Sequence, residues 1–328
     1  MTELTLVTGA GGFIGGHLVK DLLAKGHPVR AVDIKPESEW HQVWGDAENR
    51  LADLREPDGC AQSVAGVGSV YNLASDMGGM GFIESHKAAC MLSVLINTNL
   101  LRAAEAADVG RFFFGSSACV YAEEHQTSPD VTPLREEDAY PAMPEDGYGW
   151  EKLFSERMCR HFTEDFGLAT RVARYHNVYG PHGTFDGGRE KAPAAICRKV
   201  AEAEVYERPE IEIWGDGKQT RSFTYIDDCV FGTQAIMDSD LAEPVNLGST
   251  TLVTIDELVT IVEEIAGITL ERRYRTDAPT GVRGRNSDNT KLKQALGWEP
   301  DTSLRDGLAV TYGWVRDQVL AQRAVALS

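Results

Sequence analysis

Tyr148 and Lys152 stand four residues apart in the run Tyr148-Gly149-Trp150-Glu151-Lys152. On a helix that spacing puts both side chains on one face, one turn from each other. An ammonium beside a phenol favours the phenolate, so the pair is expected to lower the tyrosine pKa. A tyrosine tuned in this way can take a proton from a sugar alcohol while a hydride leaves the same carbon. Taken alone, the spacing fits an exposed helix with an incidental aromatic equally well. The rest of the chain has to supply the other half of a redox site.

That half is written at the amino terminus. Leu4-Thr5-Leu6-Val7 reads as a short buried parallel strand. It runs into Thr8-Gly9-Ala10-Gly11-Gly12-Phe13-Ile14-Gly15 and then a helical pattern through Leu18, Val19, Leu22 and Leu23. The glycines at 9, 12 and 15 follow GxxGxxG, a variant of the dinucleotide fingerprint. Gly9 serves the tight turn, Gly12 the approach of backbone to a pyrophosphate, and Gly15 close helix packing. With Phe13 and Ile14 they open a helix whose N-terminus faces the phosphates. Val29-Arg30-Ala31-Val32-Asp33 is the next strand, and Asp33 lies where a ribose-binding carboxylate belongs. A carboxylate there favours NAD over NADP, an inference that nearby Lys35 weakens slightly. Asp53 is a candidate for the adenine edge or, equally, a cap for the helix after it.

Further strands at Ser69–Ala74, Arg111–Ser116 and Thr170–Arg174 alternate with helical segments. The alternation predicts an α/β fold, a Rossmann-type doubly wound parallel sheet with a smaller α/β substrate-binding domain. The expected NAD-binding domain spans 1–175, with 220–248 returning to it through a strand at 221–228. The substrate domain then takes 176–219 and 249–328. Within the latter, 252–270 reads as an amphipathic helix and the acidic stretch 202–210 as an irregular surface loop.

A chain of 328 residues with formal net charge −18 repels nucleic acid and anionic membrane surfaces. An anionic substrate must therefore be held by a local cluster of bases. The six cysteines, at 60, 90, 119, 159, 197 and 229, make no CxxC and no zinc-like spacing with histidine, so no metal site is expected. Reduced thiols fit a cytoplasmic protein. Met1-Thr2-Glu3 carries an acid where a signal peptide wants basic charge, and no apolar run is long enough to span a bilayer.

GxxGxxG, Asp33, Ser116-Ser117, Tyr148-xxx-Lys152 and Asn177-xx-Gly180-Pro181 fall together in an order that resembles the extended short-chain dehydrogenase/reductase family of nucleotide-sugar enzymes. Longer strings are similar to the branch of that family that epimerises GDP-mannose at C3 and C5. These are Asp76–Ile83, Ser116–Tyr121, Gly188–Ala195, Trp214–Ser222 and Gly281–Asn289. The resemblance implies an isomerase on a dehydrogenase's scaffold, in which no net oxidation occurs. It implies that Ser117, Tyr148 and Lys152 form the redox triad with NAD, and that a transient C4 ketone acidifies the C3 and C5 protons. It assigns Cys119 as base and Lys191 as opposing acid, and it implies a homodimer. Cys119, two residues past Ser117 on a segment read as extended, is expected on the same side. A thiolate serves there if nearby positive charge lowers its pKa. Where related dehydratases carry a carboxylate, this chain has Cys119.

The same resemblance places Gly78, Ala118, Asn177, Glu190, Lys199, Gln219, Thr220, Arg221, Ser222 and Arg285 around the nucleotide sugar. Arginines hold diphosphate through paired hydrogen bonds. Arg283 reads equally as a surface ion-pair partner, His176 as a structural histidine, and Met77 and Met80 as pocket walls or core filler. The loop Ala122-Glu123-Glu124 stands where many relatives have Gly or Pro and is expected to alter the lid near the sugar. A 4,6-dehydratase or 4-epimerase acting on another nucleotide sugar remains open, as does an NAD-sensing regulator on the same fold. The latter has no need of a Ser-Tyr-Lys set.

Overall fold

A computed structural model describes residues 3–278 and 280–326. Met1 and Thr2 of the acidic start lie outside the described residues, as does the side chain of Met80.

The first half is built from strand–helix repeats. In chain order these are β1 (Leu4–Thr8), α1 (Phe13–Ala24), β2 (Val29–Asp33), β3 (Glu48–Leu51), α2 (Pro57–Val64), β4 (Val67–Asn72), α3 (Met80–Ser85), α4 (Lys87–Ala106), β5 (Arg111–Ser117), α5 (Tyr148–Phe166) and β6 (Ala169–Tyr175). The second half begins with β7 (Val178–Tyr179), α6 (Ala192–Val205), β8 (Glu210–Trp214), β9 (Thr220–Ser222), β10 (Thr224–Tyr225), α7 (Ile226–Asp238) and β11 (Val245–Leu247). It closes with β12 (Leu252–Thr254), α8 (Ile255–Ala266), β13 (Glu271–Arg275), β14 (Gly284–Arg285), α9 (Thr290–Leu296) and α10 (Leu304–Ala326).

A seven-stranded sheet in the order β11-β6-β5-β4-β1-β2-β3 is parallel throughout. The strand order reverses between β1 and β4. In doubly wound sheets ligands bind outside the carboxyl ends of the strands at such a switch point. Both faces of the sheet are covered, so the central strands are apolar almost without interruption. In β5 the pleat sends Phe113 into one core and Phe112 and Phe114 into the other. Burying each ring contributes about 1.5–3 kcal/mol. The remaining strands form smaller sheets, β12-β9-β14, β10-β7 and β13-β8.

Three local expectations need correction. Residues 202–210 are a surface loop only in part: 202–205 finish α6, 206–209 form an exposed turn, and β8 begins at Glu210 with alternating exposed and buried residues. Glu207 lies in the turn, while Glu202 and Glu204 belong to α6 and Glu210 to β8. The segment 221–228 is not one strand returning to the large sheet. Arg221 sits on β9, which pairs with β12 and β14, and Asp227 and Asp228 open α7, which packs on α1. The return is made by α7 and β11. In the range 252–270, a strand precedes α8, whose start is fixed by Thr254 and Glu257 in a reciprocal capping box.

Candidate active site

The turn after β1 forms a cradle at the switch point. Gly9 has φ +68, and a Cβ on Gly15 would come 2.2 Å from the Gly9 carbonyl oxygen, so the helix enters the turn with no room for a side chain. Gly12 caps α1 without any side-chain hydrogen bond, which leaves the first amides of the helix pointing outward. Phe13 and Ile14 begin the helix and pack on the core. Asp33, at the end of β2, accepts hydrogen bonds from the amides of Gly11 (3.0 Å) and Lys35 (3.0 Å). A free helix N-terminus beside a carboxylate at the second strand end fits the pyrophosphate and ribose of NAD. Asp53 lies past β3 and is held by the Arg55 guanidinium, whose hydrogen bond is the leading cause keeping that carboxyl below its ordinary range.

The catalytic candidates converge where β5 ends. Ser117 is its last residue, and its hydroxyl accepts from the Cys119 amide at 3.2 Å. That bond turns residues 118–120 into a single 3-10 turn, so Cys119 is not on an extended segment as expected. Ala118 is buried in the same turn. The start of α5 tucks beneath it: a Cβ on Gly149 would meet the Cys119 carbonyl oxygen at 2.3 Å. Tyr148 opens α5 and packs with Cys119, Cys90, Phe82 and Ile83, and its phenol hydrogen-bonds Ser117. Lys152 follows one turn later, its ammonium 5.4 Å from the Tyr148 ring centre, 4.7 Å from that of Phe114 and 3.5 Å from the Glu151 carboxylate.

Electrostatics revises one expectation. Burial, with Cys119 and Glu151 adding to it, pushes the Tyr148 phenol well above its ordinary range; the Ser117 hydrogen bond acts the other way. Lysine proximity does not overcome the loss of water. Burial likewise pushes the Cys119 thiol up to about 11, with Glu145 raising it further and Arg285 pulling it down. The positive charge sought beside the thiol is therefore present, in Arg285 with Nη1 3.8 Å from Sγ, but it is offset.

Lys191 is the N-cap residue of α6, ahead of Pro193 in the first turn. Its ammonium makes no hydrogen bond or ion pair among the described residues. Burial holds its pKa below the ordinary lysine value, opposed by Cys119 and Cys229 and reinforced by Arg285. A positive charge at a helix N-terminus is disfavoured as well.

The remaining candidates divide by what holds them. Arg285 donates from Nε to Gln126 (2.6 Å), from Nη1 toward Cys119 and from Nη2 to Glu145, which places it beside the thiol. Arg221 donates to the carbonyls of Thr220, Thr280 and Val282, and burial lowers its pKa to about 9. Gln219 Oε1 and Ser222 Oγ are buried with no hydrogen-bond partner among the described residues. The Thr220 hydroxyl donates to the Pro129 carbonyl, and Asn177 Nδ2 donates to the Ser222 carbonyl. Gly78 lies against Phe82. Glu190 is engaged by Arg198 and the Gly188 amide, while Lys199 donates to the Glu212 carbonyl over the Trp214 ring, away from the thiol cluster. Arg283 pairs with Asp216 at 2.9 Å. The Ala122–Glu124 departure leads into a 3-10 turn ending at Gln126. Sequence reasoning missed Gln126 and Glu145, each of which accepts from Arg285 through one side-chain oxygen. Among the described residues no cluster of histidine, cysteine or acid could hold a metal ion, and no helix is long and apolar enough to cross a membrane.

Residues 5–248 match the NAD dependent epimerase/dehydratase family. The GDP-mannose 3,5-epimerase 1 of Oryza sativa subsp. japonica is 47% identical over 318 residues, 95% of this chain and 82% of that protein. The GDP-mannose 3,5-epimerase of Arabidopsis thaliana is 44% identical over 323 residues, 97% of this chain and 83% of that protein. Among solved structures, UDP-glucose 4-epimerase of Thermotoga maritima, with UDP-glucose, superposes with a TM-score of 0.86 at 28% identity, over 96% of this chain and 99% of that one.

Proposed function

This chain belongs to the NAD dependent epimerase/dehydratase family, and from that premise we propose that it epimerises GDP-α-D-mannose at C3, C5 or both. The products are GDP-L-galactose and GDP-L-gulose. The observation that carries the reading is the Ser117, Cys119, Tyr148 and Arg285 cluster, with the unpaired ammonium of Lys191 coupled to the same thiol.

NAD, when bound, supplies an acceptor for the C4 hydride and, once reduced, the donor that restores the alcohol. The chain's own residues do the rest. Ser117 and Tyr148 hydrogen-bond the C4 oxygen, and Tyr148 takes and returns its proton, with Lys152 behind it as a fixed positive charge. A carbonyl at C4 acidifies the hydrogens on C3 and C5, because either carbanion is stabilised as an enolate. Cys119, as thiolate, removes that hydrogen from one face of the ring. Lys191 delivers a proton to the other, a task suited to an ammonium that burial already disposes to give one up. Arg221, Lys199, Gln219, Thr220 and Ser222 hold the nucleotide diphosphate, with Arg285, Asn177, Gly78, Ala118 and Glu190 shaping the sugar end. Asp33 and the glycines at 9, 12 and 15 hold NAD, with Asp53 near its adenine. The unmatched Gln219 Oε1 and Ser222 Oγ support this assignment, since buried polar atoms without partners are costly unless a ligand satisfies them. Residues 1–175 with 220–248 form the NAD-binding unit and the others the substrate unit.

A homodimer is supported by apolar side chains on the outer faces of the packed helices α4 and α5. Met91, Leu92, Leu95, Trp150 and Phe154 are all exposed there. Six unpaired cysteines support a reducing, cytoplasmic setting.

The test is incubation of NAD-loaded protein with GDP-mannose and identification of the sugar products. GDP-L-galactose or GDP-L-gulose without accumulation of NADH supports the proposal. A 4-keto-6-deoxy sugar, seen by its alkaline absorbance, or a product inverted only at C4 replaces it with the dehydratase or 4-epimerase reading.

A further inference from the structure

Glu145 has no place in the mechanism above, yet it is a buried acid joined to the proposed base through its backbone and through Arg285. Only 4% of its surface is exposed. Its amide donates to the Cys119 carbonyl at 3.0 Å, so its backbone is tied to the thiol's own turn. One carboxylate oxygen accepts from Arg285 Nη2, and the same guanidinium reaches Cys119 Sγ through Nη1 at 3.8 Å. The other oxygen, Oε2, is buried with no hydrogen-bond partner among the described residues. Two groups that can carry negative charge thus share one cation. Gln126 fixes that cation through Nε and adds no charge of its own.

We propose that Glu145 is a positioning residue that competes with Cys119 for the Arg285 guanidinium and so governs the charge state of the thiol. The proposal rests on the reading of Cys119 as the base. Deprotonation breaks the S–H bond, leaves the electron pair on sulfur and releases the proton to solvent. The guanidinium favours the charged product, and a carboxylate in contact with that guanidinium cancels most of its effect. Burial then decides the balance and keeps the thiol protonated. The other groups facing Cys119 do not substitute for Glu145. Tyr148 from α5 and Cys90 from α4 are neutral in the same packed cluster. Glu151 adjoins Lys152, and Lys191 and Arg221 add positive charge from α6 and β9. On the solvent side of Glu145 a cleft carries Lys87, paired with Asp146, and Glu84 and Glu123. Removing the carboxylate leaves Arg285 uncompensated beside the sulfur.

The experiment follows alkylation of Cys119 by iodoacetamide against pH, with the modified peptide quantified by mass spectrometry. It uses full-length, NAD-loaded wild type, Glu145→Gln and Glu145→Asp. Glutamine keeps the shape and can still accept from Arg285. Glu145→Gln is expected to lower the midpoint by at least one unit, roughly a tenfold gain in reactive thiolate near neutral pH. Glu145→Asp keeps the charge and is expected to keep the wild-type pH dependence. An unchanged midpoint in folded Glu145→Gln overturns the proposal. So does a wild-type midpoint below that of an ordinary cysteine, a result that needs no variant to fold. Alkylation requires no sugar. A shifted midpoint without any reaction on GDP-mannose upholds the coupling and discards the functional reading, and the reverse pattern discards the coupling alone.

Discussion

Two buried arginine–glutamate pairs stand on either side of Ser117, and they are finished to different degrees. Behind the strand, Arg174 meets Glu156 through Nε (2.9 Å) and Nη2 (2.7 Å), and Ser116 donates to the same carboxylate at 2.6 Å. The remaining Nη1 donates to Tyr121 Oη and the Glu136 carbonyl, and Tyr121 donates on to Asn246. Both carboxylate oxygens are engaged. In front of the strand, Arg285 and Glu145 share space with a thiol, and among the described residues Glu145 Oε2, Gln219 Oε1 and Ser222 Oγ have no hydrogen-bond partner. A closed network specifies geometry, here the register of β5, α5 and β6 that sets Ser117 against Tyr148. An open one keeps polar capacity in reserve for something that is not part of the chain.

Breaking each cluster separates these roles. The largest effect is expected in front. Lys191→Ala or Cys119→Ala abolishes C3 and C5 epimerisation, a loss of at least about 10²–10⁴ in rate, while part of the C4 oxidation persists. Because the Lys191 ammonium makes no hydrogen bond or ion pair among the described residues, its removal leaves the denaturation midpoint nearly unchanged. A folded Cys119→Ala enzyme that inverts both carbons at near wild-type rate refutes the assignment of the base. Behind the strand the loss is one of folding. Glu156→Ala strands the Arg174 guanidinium in the core and is expected to cost about 3–5 kcal/mol in urea unfolding. Equal instability for Glu156→Ala and Lys191→Ala contradicts the contrast.

A smaller effect follows from His176, which adjoins the closed network. Its Nε2 meets Asn246 Oδ1 at 3.0 Å, and burial lowers its pKa to about 3. Between that value and the unfolded value near 6.5, the unfolded chain binds the proton and the folded chain does not. Stability therefore falls as pH drops through this window, by up to about 1.4 kcal/mol per unit. His176→Gln should flatten that slope between pH 6 and 4 in equilibrium unfolding, and an unaltered slope removes His176 as its source.

The parts of the site that were legible in the sequence are local. Gly9, Gly12 and Gly15 occupy one turn, Asp33 ends the next strand, and Tyr148 and Lys152 lie one helical turn apart, so spacing alone fixes their geometry. Arg285 meets Gln126 and Glu145 across separations of 159 and 140 residues, and no periodicity encodes such a meeting. Adjacent acids also part ways, since Glu145 is buried and Asp146 is exposed. At 202–210 the surface loop is confined to 206–209, and the acids of α6 and β8 on either side of it resembled its continuation. The misjudged tyrosine has a different origin. The ammonium one turn away was visible in the sequence, but the loss of water around the phenol depends on Phe82, Ile83 and Cys90, which arrive from other elements.

The most direct test of the central claim is incubation of NAD-loaded protein with GDP-mannose in D2O, read by NMR. The account predicts deuterium at C3, C5 or both in the recovered GDP-sugars, with no net NADH. Absence of exchange at both carbons, in folded protein that holds NAD, contradicts it.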